Sequence, residues 1–439
     1  MNTPPDDLPT HLRALYQAAV AAVEPGVVLR AALDRAPRPD RAPHVIALGK
    51  AAPAMARAAV EWLAAHGMAP AGGVVVGAEP STAPHPALTA AHGDHPEPGD
   101  DSAAAAAALA RAAERASAAE GGPTPLVWVL LSGGSSSLLG APVEGLSDAD
   151  YRALCRLLLG SGLSIIEVNR IRKRFSRWGA GRLASALVGA EIRVWVISDV
   201  IGDDVASIGS GPCVPDPATA EVVQLDLAHL SVSHDLPPGV FTHLEDVMAG
   251  RRPETPKPAA ACFARVRHDI VAANRLAVQA AAAQAEALGY ATTAPIRPIV
   301  GEAAEVGRQF AESVLKRPPG GPWCAIWGGE ATVTLGEGSG VGGRCQEIAL
   351  AVAERLAAAG AGRRIALLAA GTDGRDGPTD AAGAIVTPET WGRIVAAGHD
   401  PALHLRRHDT YPALQAVGAL LVTGSSGTNV NDVVIAVEA

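Results

Sequence analysis

An apolar run of five or six residues that ends abruptly on Gly, Ser or Asp recurs along the chain. His44–Leu48 ends at Gly49-Lys50, and Leu126–Leu131 (LVWVLL) ends at Ser132. Ile192–Ile197 ends at Ser198-Asp199, Trp323–Trp327 at Gly328, and Ile365–Ala370 at Gly371. Such runs read as buried strands. Strands alternating with helices of ten to twenty residues predict α/β layers, with mostly parallel sheets and right-handed crossovers. The alternating segment Ala331–Leu335 predicts some antiparallel pairing in the second half. With 439 residues, two domains are expected. The Pro-rich and polar stretch 233–258 is the linker candidate, so the expected division is 1–250, a Rossmann-like α/β domain, and 251–439, a second α/β domain.

Open α/β sheets place ligands just past the carboxyl ends of their strands, so those ends are where chemistry is sought. Ile365–Val386 carries three carboxylates (Asp373, Asp376, Asp380) among three glycines within ten residues. That loop suits a hard cation such as Mg²⁺ or general-base work, or else a turn, since Asp and Gly both favour turns. It is not a calcium loop, because Arg375 breaks the D-x-[DN]-x-[DN]-G spacing. Asp373 is its candidate chemical residue; Asp376 and Asp380 are expected to shape the turn.

Lys50 stands at a strand-to-helix turn, where a cation opposes the helix dipole by up to about 1 kcal/mol and Ser, Asp or Thr would stabilise better. That favours an anion site over a solvated lysine. The loop Ser132, Gly133, Gly134, Ser135, Ser136, Ser137 has amides and hydroxyls able to cradle phosphate. It is neither a P-loop nor a GxSxG elbow, and no GxGxxG follows a first strand. Asp199, Asp203 and Asp204 follow the strand at Ile192–Ile197 and precede Gly209-Ser210-Gly211. Gly340–Arg344 can present a guanidinium to phosphate or carboxylate, with a salt bridge to Glu347 as the plainer use. Six cations (Arg170, Arg172, Lys173, Arg174, Arg177, Arg182) crowd an expected helix 167–187, and their spacing does not put them on one face. Most are expected to be solvated or paired, with one or two left for an anionic substrate or a partner subunit.

The net charge of −9 argues against a general binder of nucleic acid or anionic membrane. Five scattered cysteines without CxxC or zinc spacing point to reduced thiols and a cytoplasmic protein. No apolar run reaches membrane-span length, and MNTPPDDLPTHL does not read as a secretory signal.

The pieces ALGKAAPAM, LSGGSSSLL, VISDVIGDDVASIGSGP, WGGEATVTLGEGSGVGGRCQEIALA, AAGTDGRDGPTDAAGAI and TGSSGTNVNDVVI, in this order, resemble the type-2 glycerate kinases. The second half resembles the leucine-rich fragment domain of that family. The resemblance implies transfer of the ATP γ-phosphate to the 2-hydroxyl of D-glycerate, with Mg²⁺, between two α/β domains flanking a cleft. It also implies a functional set of Lys50, Asp199, Glu330, Arg344, Asp373 and Asn429 or Asn431. Lys50 and Arg344 are expected to hold the substrate carboxylate or transferring phosphoryl oxygens. Asp199 and Asp373 would divide base and metal duties, and Ser132–Ser137 would carry ATP. Glu330 and Asn429 would orient ligands. Cys345 stands where the family usually has Asn, and Ser425-Ser426 where it has Pro-Thr, which bears on the choice among sugar acids. The expected assembly is a monomer or homodimer. Two other readings stand beside this one: a nicotinamide-dependent hydroxypyruvate reductase, which the absent dinucleotide fingerprint disfavours, and a silent sugar-acid sensor, which the retained Lys50, Asp199 and Asp373 disfavour.

Overall fold

The computed structural model describes residues 7–117, 122–159, 163, 165–229, 233–294, 298–318, 321–336, 338–359 and 362–439. The first six residues, the last two of the expected helix 103–119 and the last of the expected strand 291–295 lie outside the described residues. Two compact units emerge, one of residues 25–271 and one of residues 1–24 with 272–439. The strands are β1 (His44–Leu48), β2 (Gly72–Gly77), β3 (Leu88–His92), β4 (Leu126–Leu131), β5 (Glu191–Ile197), β6 (Val266–Ala272), β7 (Ala291–Thr293), β8 (Trp323–Gly329), β9 (Ile365–Gly371), β10 (Gly383–Val386), β11 (Leu420–Leu421) and β12 (Asp432–Glu438).

In the 25–271 unit the sheet order is β3-β2-β1-β4-β5-β6, with parallel pairing from β3 through β5. All six residues of β4 are buried, as a central strand covered on both faces requires. Val127, Val129 and Leu131 share a core with the Ala-rich helix Asp100–Arg115, whose Ala105, Ala112 and Ala113 are buried. On the alternate face Trp128 meets Trp62, ring centroids 5.9 Å apart. A second core, built from Tyr151, Leu154, Phe175, Val240 and Leu244, holds a helical layer.

That layer absorbs the expected linker. Residues Pro238–Met248 form a helix that buries Val240 and Leu244, and Thr255 is buried with its hydroxyl 3.1 Å from Asp216 Oδ2. Pro238 opens the helix, where a missing N–H costs nothing. The chain therefore divides at 271/272 and not at 250/251, because β6 completes the first sheet as its last strand. The N-terminal helix Leu8–Ala22 belongs with the other unit. His11 Nδ1 lies 2.7 Å from Tyr290 Oη, Tyr16 Oη donates to Gly371 O at 2.7 Å, and Thr428 Oγ1 donates to Val23 O at 2.8 Å. The period of Leu12, Leu15 and Tyr16 marks a helix but not the sheet it covers.

The second sheet runs β11-β10-β9-β12-β8-β7. Its pairings are antiparallel except β7 with β8, unlike the mostly parallel sheets expected. The last strand of the chain inserts between β8 and β9. Fully buried runs such as β9 and β12 read alike whichever way their neighbours point. Ala331–Leu335 makes one isolated bridge, Thr332 to Glu302, and no strand. The expected helix 167–187 is two helices, Ile165–Phe175 and Arg182–Ala186, separated by positive φ at Ala180 (53°) and Gly181 (80°). No single described helix is long and apolar enough to cross a membrane.

Candidate active site

In the 25–271 unit the sheet order reverses between β1 and β4. Loops leaving those two strands diverge and open a crevice at the carboxyl edge. Lys50 follows β1, Ser132–Ser137 follows β4, and Asp199 follows β5. The backbone ties the three together. Lys50 N donates to Gly133 O at 2.9 Å, Ser132 N to Leu48 O at 2.9 Å, and Ala51 N to Ser132 Oγ at 3.0 Å. A Cβ on Gly133 would lie 1.8 Å from Asp199 Oδ2, and one on Gly134 would lie 3.1 Å from Lys50 Cγ and 3.4 Å from His95 Cδ2. Only glycine at 133 lets the loop lie against that carboxylate.

Burial pushes the Asp199 carboxyl above its ordinary range, and the Lys50 cation pulls the other way. Burial first, then Lys50 and Arg172, push the His95 imidazole down to about 4, so it is neutral at physiological pH. Ser136 Oγ and Ser210 Oγ are 2.7 Å apart, and Ser135 Oγ is buried without a partner among the described residues. The cluster thus offers one cation, one carboxylate and several hydroxyls. Asp204 serves its own turn, accepting from Ser207 Oγ at 2.6 Å and Ala206 N at 3.1 Å. Among the described residues no three His, Cys, Asp or Glu side chains gather as a metal cage. Mg²⁺ commonly takes one or two carboxylates and otherwise phosphate oxygens and water, so the residues present fit Mg²⁺ only as it arrives with a nucleotide.

In the other unit Arg344 opens the helix Arg344–Ala358. Its Nε and Nη2 form a fork on Asp432, at 2.6 and 2.9 Å, and Nη1 donates to Glu330 Oε1 at 2.6 Å. Asn431 Nδ2 donates to Glu330 Oε2 at 2.9 Å, and Asn431 N to Asn429 Oδ1 at 3.1 Å. Glu330, Arg344, Asn429 and Asn431 are therefore one network. Glu347 does not pair with Arg344; it takes His408 Nδ1 at 2.9 Å. Asp373 is half-buried, with Arg375 N donating to its Oδ1 at 3.0 Å and Ser426 N to its carbonyl at 3.1 Å. Ser426 Oγ also donates to Thr372 O at 2.7 Å, so this unusual serine ties the last loop to the Asp373 loop. Cys345 is fully buried, its thiol pushed up by burial and by Asp432.

Asp376 and Asp380 are expected to shape the turn, but their carboxylates serve other elements. Asp380 accepts from Tyr411 Oη at 2.8 Å. Asp376 accepts from Cys345 N at 3.0 Å and Gln346 N at 2.8 Å, capping the helix that carries Arg344. Burial pushes the Asp376 carboxyl up to about 7, against those two amides and Arg344. Its folded pKa exceeds its unfolded one, so its contribution to stability is full in acid and is lost as pH rises through about 7. Asp376→Ala is expected to cost about 2 kcal/mol in urea unfolding, through a lost cap and unpaired amides. The cost should be larger at mildly acidic pH than above neutrality; a pH-independent difference would contradict this assignment.

Three members escaped the sequence reading. Asp432 looked like the end of a loop, yet it opens a strand whose seven residues are all buried, and a charge there was the available signal. His95 and Ser210 gave no signal, because only folding brings them to Lys50 and Ser136.

Residues 11–245 match the family described as a domain of unknown function (DUF4147), and residues 323–432 match the MOFRL family. A Pyrococcus horikoshii protein named glycerate 2-kinase is 36% identical over 400 residues, covering 90% of this chain and 87% of that protein. An Agrobacterium vitis protein bearing the provisional name hydroxypyruvate reductase is 38% identical over 429 residues, covering 96% of this chain and 92% of that one. The crystal structure of glycerate kinase from Thermotoga maritima superposes with a TM-score of 0.84 at 33% identity, covering 99% of this chain and 100% of that one. The chain belongs to the glycerate kinase family with a C-terminal MOFRL domain.

Proposed function

We propose that this protein is an ATP-dependent glycerate kinase that phosphorylates the 2-hydroxyl of D-glycerate, with Mg²⁺ entering as the companion of ATP. The observation that carries the reading is the Lys50–Gly133–Asp199 cluster at the point where the first sheet reverses its order. Phosphoryl transfer needs positioning and charge neutralisation more than covalent chemistry. Lys50 neutralises charge gathering on the transferred phosphoryl group. The Ser132–Ser136 loop supplies hydroxyls and close main-chain approach to ATP. Asp199, with its pKa raised by burial, accepts a hydrogen bond from the attacking hydroxyl and takes its proton late. Arg344, held by Asp432 and Glu330, keeps one N–H on each terminal nitrogen for the glycerate carboxylate or a phosphoryl oxygen. Asp373, Asn429 and Asn431 line the loops that present it.

The reductase reading has one point in its favour, since the order 3-2-1-4-5-6 is that of dinucleotide-binding folds. The first turn reads Leu48-Gly49-Lys50-Ala51 and carries no GxGxxG, so the sequence lacks the amide cradle for a pyrophosphate. Incubation with D-glycerate, ATP and Mg²⁺, followed by phosphorus NMR, is expected to give ADP and 2-phosphoglycerate. Absence of ADP would sink the kinase reading, a 3-phosphoglycerate product would move the attack to the other hydroxyl, and NADH oxidation with hydroxypyruvate would favour the reductase.

A further inference from the structure

Most of the basic run at 170–182 is spent internally. Arg170 pairs with Asp226 at 2.8 Å, Lys173 with buried Asp216 at 3.1 Å, Arg174 with Glu254, and Arg172 donates to Asn169 at 2.7 Å. Arg177 and Arg182 remain. Among the described residues neither forms a salt bridge: Arg177 is exposed, its Cζ 5.3 Å from the Trp178 ring, and Arg182 donates to the carbonyls of Arg174 (2.8 Å), Ser176 (3.1 Å) and Lys173 (3.3 Å), with Asp216 and Glu254 favouring its charge from farther off.

Both line an open pocket of about 530 Å³ together with Arg252, His243 and Glu144, and with Pro142, Val143 and Pro253. Three arginines face one carboxylate there. Arg252 Nε lies 3.3 Å from Asp246 Oδ2, which tempers one of the three. His243 is 5% exposed, and its Nδ1 is buried without a partner among the described residues. Burial, then Arg182, Arg252 and Arg174, hold its imidazole down to about 4, with Asp246 opposing. A neutral imidazole still carries one N–H, so His243 can donate from a site where adding a proton is costly.

We propose that this pocket binds a small, multiply charged oxyanion, such as the phosphoryl group of a phosphorylated metabolite, as a site separate from the Lys50 cluster. None of Lys50, Ser132–Ser137 or Asp199 lines it. Arginine forks match phosphate oxygens in geometry and charge, and the volume lies within the range of small-ligand pockets. An anion there gives the guanidinium groups of Arg177, Arg182 and Arg252 a shared counter-charge and His243 Nδ1 an acceptor.

The inference does not depend on which reaction the protein catalyses. The test is calorimetric titration of the full chain with inorganic phosphate at neutral pH, with chloride matching the ionic strength. Lys50→Ala is the background, so that phosphate held by the Lys50 cluster is removed from the measurement. Phosphate is expected to bind the Lys50→Ala protein, and adding Arg177→Gln or Arg252→Gln should weaken binding by about tenfold or more. Arg177 is exposed and its side chain makes no hydrogen bond among the described residues, so its substitution leaves the fold intact even if Arg252→Gln does not. No binding by the Lys50→Ala protein, or an affinity unmoved by Arg177→Gln, would overturn the proposal.

Discussion

Lys50→Ala is expected to lower kcat/KM for glycerate by about 10³-fold, or about 4 kcal/mol of transition-state stabilisation. The fold should survive. The tie between this turn and the serine loop runs through Lys50 N and Gly133 O, which alanine keeps. The lost cation sat just ahead of the helix Ala52–Ala65, where it opposed the dipole, so unfolding free energy should hold or rise by a few tenths of a kcal/mol. A second signature separates chemistry from packing. Lys50 is the charge that pulls the Asp199 pKa down. Without it, the acidic limb of the kcat/KM profile should move to higher pH, because Asp199 must be unprotonated to accept the hydroxyl proton. Lys50→Arg keeps a cation and should restore that limb in large part. Steady-state kinetics across pH decide it: wild-type kcat/KM in Lys50→Ala would remove Lys50 from the mechanism.

How much of this was legible in the sequence follows from range. Strand ends carry local information, so Lys50, the serine loop, Asp199 and Asp373 could be read from an apolar run stopping at a Gly or Asp. Asp376 and Asp380 read as turn-makers, yet their carboxylates meet Cys345 N, Gln346 N and Tyr411 Oη, 30 or 31 residues away along the chain. What failed was non-local. Two consecutive buried strands carry no mark of their relative direction, and β12 crosses the chain to lie between β8 and β9. The N-terminal helix showed its apolar stripe without showing that Tyr16 would reach Gly371. Proline density at 233–258 suggested a linker, yet Pro237 and Pro238 sit at the start of a helix, where they are tolerated. Arg344 was singled out for its glycine-rich approach, but its partner lay 88 residues away at Asp432 and not one turn on at Glu347.

Arg344→Ala is expected to cost activity and stability together, which makes it a poor test when used alone. Asp432 has a side chain only 1% exposed, and its charge is matched by the Arg344 fork. Removing one partner of such a pair strands the other, at about 3–5 kcal/mol. The loss in kcat/KM, about 10²–10³-fold if the guanidinium meets the substrate, could then be mistaken for partial unfolding. Adding Asp432→Asn separates the two effects. It removes the stranded charge and should return most of the unfolding free energy, while no cation returns to the site. Arg344→Ala/Asp432→Asn is therefore expected to unfold at nearly the wild-type urea midpoint and to remain as inactive as Arg344→Ala. If kcat/KM recovered along with the midpoint, Arg344 would be a structural clamp on β12, and the substrate-binding cation would have to be sought elsewhere.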